Sequence, residues 1–115
     1  MDITPQSALP LFGRVGRLGP ARSVASRLEA NCLLIEGAEA KTTGTAAIVT
    51  IDSLYPSQAL ADAVARLCTS RGLQLTPDAL MLVASHTHNA PALDASKPRL
   101  GICTPEYVDF VAVPI

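Results

Sequence analysis

The chain has 115 residues, 49% of them hydrophobic and 17% charged, and nine Lys and Arg residues nearly balance ten Asp and Glu residues. A chain of this length is expected to form one domain that buries roughly two-thirds of its unfolded surface, and its apolar content excludes an intrinsically disordered chain. The net charge of -1 excludes a general nucleic-acid binder, because neutralising phosphates takes a basic excess.

The sequence shows neither a transmembrane segment nor a secretory signal. The longest uninterrupted apolar run, over 79–84, has six residues, whereas a transmembrane helix needs about twenty. The opening residues, Met1 to Pro5, lack the basic and apolar regions of a signal peptide. As written, the chain is therefore expected to be cytoplasmic.

Residues 1–27 form a lead-in that is rich in proline, glycine and arginine. Gly13, Gly16 and Gly19 recur three residues apart, but a dinucleotide site needs its glycines directly between a strand and a helix, and Pro20 follows the last of them. We therefore predict a loop whose arginines are solvated or paired with acidic residues.

Two strands are predicted after the lead-in. Residues 27–36 alternate apolar and polar side chains, which indicates a strand with one solvated face, and residues 37–41 then turn the chain. Residues 45–52 are largely apolar and β-branched, which predicts a buried strand.

A helix and a further strand follow. Pro56 suits the first turn of a helix, apolar residues recur at helical spacing after it, and Gly72 is placed to end the helix. Residues 79–85 predict a second buried strand. A strand, a crossover helix and a strand make a right-handed parallel βαβ unit, so the predicted fold class is α/β, with a parallel βαβ core within a mixed sheet.

A last helix is predicted from Thr104 as its N-cap and Pro105 in its first turn, with Tyr107, Val108, Phe110 and Val111 on its apolar face. The sequence stops after barely three turns of this helix. This ending is abrupt for a helix.

Three cysteines are widely spaced and form no CxxC pair, so neither a zinc knuckle nor a disulfide framework is indicated. Cys68 is expected in the core, on the apolar face of the first helix. Cys103 is expected to be a free thiol in a loop.

Both histidines of the chain, His86 and His88, lie two residues apart at the end of the second buried strand. Ligands of open α/β sheets bind at the carboxyl ends of the strands. If the chain is still extended here, the two imidazoles point to the same side, and such a pair suits zinc. Surface or core histidines without a ligand are the alternative.

Zinc takes three or four protein ligands, so the two histidines supply at most half of a site. The local candidates for completing it are Asp52, Asp94, Glu106 and Cys103, and no spacing rule selects among them. Asp52 is the best of them, because it ends the neighbouring strand. A carboxylate that caps a turn is nevertheless the favoured interpretation of Asp52.

The chain resembles the neutral/alkaline, non-lysosomal ceramidases in four segments that occur in the same order. These segments are Asp2-Ile3-Thr4-Pro5, Arg27-Leu28-Glu29-Ala30, Ile48-Val49-Thr50-Ile51-Asp52 and Ala84-Ser85-His86-Thr87-His88. The first and last are the specific ones. The resemblance spans nearly the whole chain but only the amino-terminal part of that family's catalytic domain, which implies that residues 1–115 are the amino-terminal portion of a larger domain. The chain departs from the family after His88, where Asn89-Ala90-Pro91-Ala92 replaces Ser-Gly-Pro-Gly.

The resemblance implies a zinc-dependent amidohydrolase that cleaves the N-acyl bond of ceramide, or of a related lipid amide or other small amide. It implies that His86 ligates zinc and that His88 is a catalytic group lining the active site. The family's other ligands and its catalytic serine lie farther downstream, so this chain alone is expected to be inactive. Family members are often secreted or membrane-associated.

Two alternatives remain. The first is a small non-catalytic metal-binding or interaction module that keeps only the βαβ core and completes its coordination across a subunit interface. The second is another class of hydrolase, for which the sequence offers no Gly-x-Ser-x-Gly motif and only Ser85 beside His86.

Overall fold

The computed structural model describes residues 1–17, 19–37 and 44–115. Its main elements, in chain order, are β1 (Ala30–Glu36), β2 (Thr45–Ile51), α1 (Gln58–Ser70), β3 (Leu80–Ala84) and α2 (Pro105–Ala112). The strand order is β1-β2-β3, with β1 antiparallel and β3 parallel to β2. The predicted α/β class, with a parallel βαβ core in a mixed sheet, is confirmed. The turn predicted over 37–41 lies outside the described residues from residue 38 onward.

One hydrophobic core joins the sheet to both helices. Val49 and Ile51 alternate along β2 and are buried, and they pack with Leu60 of α1 and Val111 of α2. A sheet and a helix each bury one apolar side against a neighbouring layer. Cys68, predicted to be a core residue, is only half-buried and packs at the edge of this core.

Helix α1 begins later than Pro56. Ser57 is its N-cap, and the Ser57 hydroxyl accepts a hydrogen bond from the Leu60 amide at 3.1 Å, so a serine cap sets the start rather than the proline. Gly72 follows the helix at φ +85°, and the Leu73 amide donates to the Cys68 carbonyl at 2.9 Å. The bond from Leu73 to Cys68 and the left-handed Gly72 between helix and loop are typical of a Schellman motif, which confirms the predicted helix end at Gly72.

Helix α2 ties the end of the chain to its beginning. The Tyr107 hydroxyl donates to the Ile3 carbonyl at 2.9 Å, and both residues are buried. Burial raises the pKa of Tyr107, and the nearby charges of Asp2 and Asp52 raise it further. The phenol is therefore neutral and acts as a hydrogen-bond donor. The predicted helix start is confirmed, although the Thr104 side chain makes no capping hydrogen bond.

The predictions of buried strands over 45–52 and 79–85 are wrong for one face of the sheet, which we call the open face. Leu33 and Ile35 of β1 lie on it with Ile48 of β2 and with Met81 and Val83 of β3, as the strand register requires. Four of them are 41–59% exposed, and Ile48 is half-buried. An apolar strand sequence shows that side chains prefer burial, but it does not show what covers them.

Helices long and apolar enough to cross a membrane are absent from the part of the chain that the structure describes.

Candidate functional site

The two histidines lie in the loop directly after β3, at the carboxyl end of the parallel strand pair. The Ser85 amide donates to the Ile51 carbonyl at 2.9 Å and extends the pairing one residue beyond Ala84. His86 then adopts φ +61°, a left-handed conformation that is uncommon for a side chain other than glycine. The extended backbone that would point both imidazoles to the same side is therefore not present at His86.

The two imidazoles nevertheless lie side by side. Their ring centres are 5.6 Å apart and their planes meet at 85°. Left-handed backbone at a residue other than glycine costs free energy, and it persists only where the surrounding contacts hold it. Hydrogen bonds to both rings supply such contacts here.

Each imidazole is held through its Nδ1 atom by a backbone carbonyl. His86 Nδ1 lies 3.1 Å from the Leu54 oxygen, and His88 Nδ1 lies 3.0 Å from the Gly13 oxygen. A carbonyl oxygen only accepts hydrogen bonds, so Nδ1 is the donor in both rings. In each neutral imidazole the lone pair is therefore on Nε2, the atom available to a metal ion or a proton.

The lead-in supplies part of this support, which the sequence interpretation missed. A Cβ atom on Gly13 would lie 2.6 Å from His88 Nδ1, and Gly13 itself adopts φ +95°. Arg17 donates from its guanidinium to the His88 carbonyl at 2.8 Å. The prediction of solvated or acid-paired arginines is therefore wrong for Arg17. The regular spacing of Gly13, Gly16 and Gly19 was the available signal in the sequence. Gly13 allows the close approach of a histidine, however, and not of a phosphate.

Tyr55, Lys97 and Asp94 form a chain of contacts that begins at His86. The Tyr55 ring meets His86 edge-on at 5.3 Å between ring centres, and Lys97 Nζ lies 4.8 Å from the centre of the Tyr55 ring. Lys97 also pairs with the buried carboxylate of Asp94. Burial alone would raise the pKa of Asp94, but hydrogen bonds from Lys97 and Ser96 outweigh it and lower the pKa.

The four predicted completions of the metal site all have other environments. Asp52 accepts a hydrogen bond from the Glu29 amide at 3.0 Å, a contact across the β1–β2 pair rather than the expected turn cap, and Asp94 pairs with Lys97. Cys103 is free and half-buried, and its thiol donates to the Ala92 carbonyl at 3.6 Å. Burial, together with the charge of Asp94, raises the pKa of that thiol. Glu106 is exposed in the first turn of α2.

In residues 1–17, 19–37 and 44–115, three or more His, Cys, Asp or Glu side chains do not gather into a metal-binding group. The structure therefore brings His86 and His88 together and leaves the other candidates apart from them.

A cleft of about 510 Å³ lies between the lead-in and the histidine loop. Thr87 and Asn89, which flank His88, line it on one side, and apolar residues that include Leu9, Leu11 and Val24 line it elsewhere. Polar lead-in residues, among them Gln6, Arg22 and Arg27, also line the cleft, so its wall is mixed, and the histidines lie beside the lining rather than in it.

Ser53 is a further polar group near this loop. It is fully buried, and its hydroxyl has no hydrogen-bond partner among the described residues. Ser53 precedes Leu54, the residue whose carbonyl holds His86.

Comparisons with known proteins found no matching family model, no matching curated protein and no matching solved structure. The resemblance to ceramidases therefore depends on the motif residues themselves, above all the two histidines.

Proposed function

We propose that this chain supplies the amino-terminal, histidine-bearing portion of a zinc-dependent, ceramidase-like amidohydrolase that cleaves the N-acyl bond of ceramide or a related lipid amide. The observation that supports it best is the pair of adjacent imidazoles whose Nδ1 atoms are both held by carbonyls. Metal-binding histidines in proteins are oriented by such a bond on the ring nitrogen that does not bind the metal.

The donor set fits zinc. Imidazole nitrogen is a preferred zinc donor, bonding at about 2.0–2.1 Å, and His86 has its Nε2 atom available for such a bond. The centre of the His88 ring lies 5.6 Å from that of His86, which puts His88 beside an ion held there. Because a zinc site takes three or four protein ligands, the proposal requires ligands beyond His86.

Each histidine has its own role in the proposal. Zinc, when bound, would lower the pKa of a water molecule or polarise the amide carbonyl. His86 would hold the ion through Nε2. His88, fixed by Gly13 and Arg17, would face the amide and accept a hydrogen bond from the attacking water at its own Nε2.

The cleft beside the loop suits the apolar part of such a substrate. Its volume of about 510 Å³ lies within the range of small-molecule sites in proteins, roughly 300–1,000 Å³. Leu9, Leu11 and Val24 on its wall would contact the acyl chain, while Thr87 and Asn89 would face the polar end.

Titration with zinc or cobalt tests the proposal. We expect weak, saturable binding to the 115-residue chain that His86→Ala abolishes and His88→Ala retains. Cys32→Ser, which removes an exposed thiol, is the control against adventitious thiol binding and should bind as the wild type does. Unchanged binding by the His86→Ala variant would contradict the role of His86.

Hydrolysis of an N-acylsphingosine is the second measurement. We expect no turnover by the purified 115-residue chain, because its site lacks ligands. Robust turnover that His86→Ala removes would show that the site is complete as it stands, and would overturn the requirement for further ligands.

A non-catalytic metal-binding or interaction module is the second candidate, favoured by the apolar side chains on the open face. That function predicts a stoichiometric metal-bound dimer that dissociates when the metal is chelated. Metal analysis together with a molar-mass measurement in the presence and absence of chelator separates the two functions.

A further inference from the structure

Among the described residues, the outer edge of β1, on the side away from β2, is paired only at its beginning. The Ile3 amide donates to the Leu28 carbonyl, and Met1 and Ala30 exchange two hydrogen bonds of 2.8 and 2.9 Å. Backbone groups of alternate residues point to the same edge of a strand. Those of Cys32, Leu34 and Glu36 therefore point outward like those of Ala30.

These outward groups are unpaired, since no hydrogen bond joins them to other described residues. The Asp52 amide donates to the Glu29 carbonyl, so the backbone groups of odd-numbered residues point toward β2. The backbone groups of even-numbered residues of β1 therefore point to the outer edge. Three consecutive outward residues of β1 thus offer three N–H donors and three carbonyl acceptors.

The edge also lacks the features that usually prevent strands from pairing. Natural edge strands are protected by lysine, proline, bulges or inward charges, whereas residues 30–35 read ANCLLI, without charge or proline. Leu33 and Ile35 are 59% and 48% exposed, and Leu34 is 42% exposed. Over residues 30–35 an identical strand would therefore meet no charge of either sign, and Glu36 carries the one charge of β1 at its end.

We infer that β1 pairs antiparallel with β1 of a second copy of this chain, around a two-fold axis at Leu34. In this register Leu34 faces Leu34 of the second copy and Cys32 faces Glu36, so all three outward residues exchange hydrogen bonds. The two three-stranded sheets become one sheet of six strands. Such a contact is isologous and closes at the dimer.

Neighbouring registers are disfavoured by residues at the two ends of the free edge. A shift toward the start of β1 requires the backbone groups of Ala30, which Met1 occupies. A shift of the axis by one residue toward the end pairs Leu34 with Glu36 and takes Cys32 out of the β1–β1 pairing. A shift by two residues brings the two Glu36 carboxylates together, and like charges in adjacent strands are destabilising. On the open face, the Leu34 register places Leu33 across from Ile35 of the second copy, which buries apolar area from both.

The dimer contact is separate from the histidine site. Leu34 aligns through Ala47 with Leu80, the first residue of β3, whereas His86 and His88 follow the last residue of β3. The axis therefore lies toward the opposite end of the strands from the histidines. Pairing of β1 does not depend on metal, and its failure leaves the proposed function untouched.

Molar-mass measurement in EDTA tests the inference. We expect the wild type at about 100 µM to have twice the chain mass of 12.0 kDa. Leu34→Pro should shift it to the monomer while keeping the circular dichroism spectrum, because the Leu34 N–H points away from β2 and proline removes only an outward donor. Val83→Lys, on the open face of β3, is the matched control and should remain dimeric.

Cross-linking tests the register itself. With the three native cysteines replaced by serine, Leu34→Cys should form a disulfide dimer on mild oxidation, because paired residues of this type lie about 5.5 Å apart between Cα atoms. A variant that keeps only Cys32 should cross-link far more slowly, since Cys32 faces Glu36. The inference would be overturned if the wild type is a monomer, or if Val83→Lys dissociates the dimer and Leu34→Pro does not. Equal cross-linking at positions 32 and 34 would also overturn it.

Discussion

Replacing Gly13 with alanine should disturb the histidine site, and the same replacement at Gly16 serves as the control. Gly13 and Gly16 both have positive φ, at +95° and +87°. A Cβ atom on Gly13 would meet His88 Nδ1 and Leu54 Cδ2, each at 2.6 Å, whereas one on Gly16 would meet nothing within 4 Å. The two substitutions therefore share the backbone cost and differ in the contact.

The expected magnitudes follow from that difference. A left-handed backbone with a Cβ atom costs about 1–2 kcal/mol, and both variants incur this cost. Gly13→Ala also displaces the imidazole from the Gly13 carbonyl, and a lost hydrogen bond costs about 0.5–1.5 kcal/mol. We expect Gly13→Ala to lower the free energy of unfolding by about 1.5–3.5 kcal/mol and Gly16→Ala by about 1–2 kcal/mol.

Urea denaturation measures both values, and metal titration measures the consequence for the site. Gly13→Ala should weaken zinc binding, because its Cβ atom also displaces Leu54, whose carbonyl holds the proposed ligand His86, while Gly16→Ala should leave zinc binding unchanged. Equal destabilisation of the two variants, or equal zinc affinity, would refute the claim that Gly13 is needed for the close approach of His88.

Three further predictions concern buried polar groups. Ser53→Ala should leave the free energy of unfolding unchanged or raise it by about 1 kcal/mol, because a buried hydroxyl without a partner costs about 1–3 kcal/mol; a loss above about 1 kcal/mol in urea denaturation would show that the hydroxyl has a partner. Tyr107→Phe should cost about 1 kcal/mol at neutral pH. Because folding raises the pKa of Tyr107 above its ordinary value of 10.0, wild-type stability should fall as pH rises past about 10, where the unfolded chain ionises first. The Tyr107→Phe variant should show a smaller fall, and parallel pH profiles would contradict the buried phenol. Folding lowers the pKa of Asp94 below 3.8, so its contribution is present above that pH and is lost as pH falls below it; Asp94→Asn should flatten the acid limb of the stability profile, and an unchanged limb would count against the pairing with Lys97.

Local patterns in the sequence predicted the central part of the fold. The β-branched run over 45–52 and the helical spacing before Gly72 are short-range signals, and both elements were found where they indicated. Ser57 shows the limit of such signals, since a proline and a serine one residue apart both suit a helix start and only the backbone geometry decides between them.

The support of the histidines is a different kind of feature. Arg17 and Gly13 lie 71 and 75 positions from His88, and no periodicity relates residues so far apart. The left-handed backbone at His86 is likewise a product of tertiary contacts. The sequence therefore predicted the two imidazoles but not the residues that hold them. It also predicted burial of the open face, because an apolar strand pattern does not show whether another element covers that face.

The hydrogen bond from Tyr107 to the Ile3 carbonyl also bears on the order in which the molecule folds. It spans 104 positions, and contacts of such separation form late because a long loop must close first. During synthesis the first three residues have no Tyr107 to bind until almost the whole chain has been made. The βαβ unit can form earlier, and we expect amide exchange to be slowest in β2 and faster at Ile3, whose fixation waits for α2.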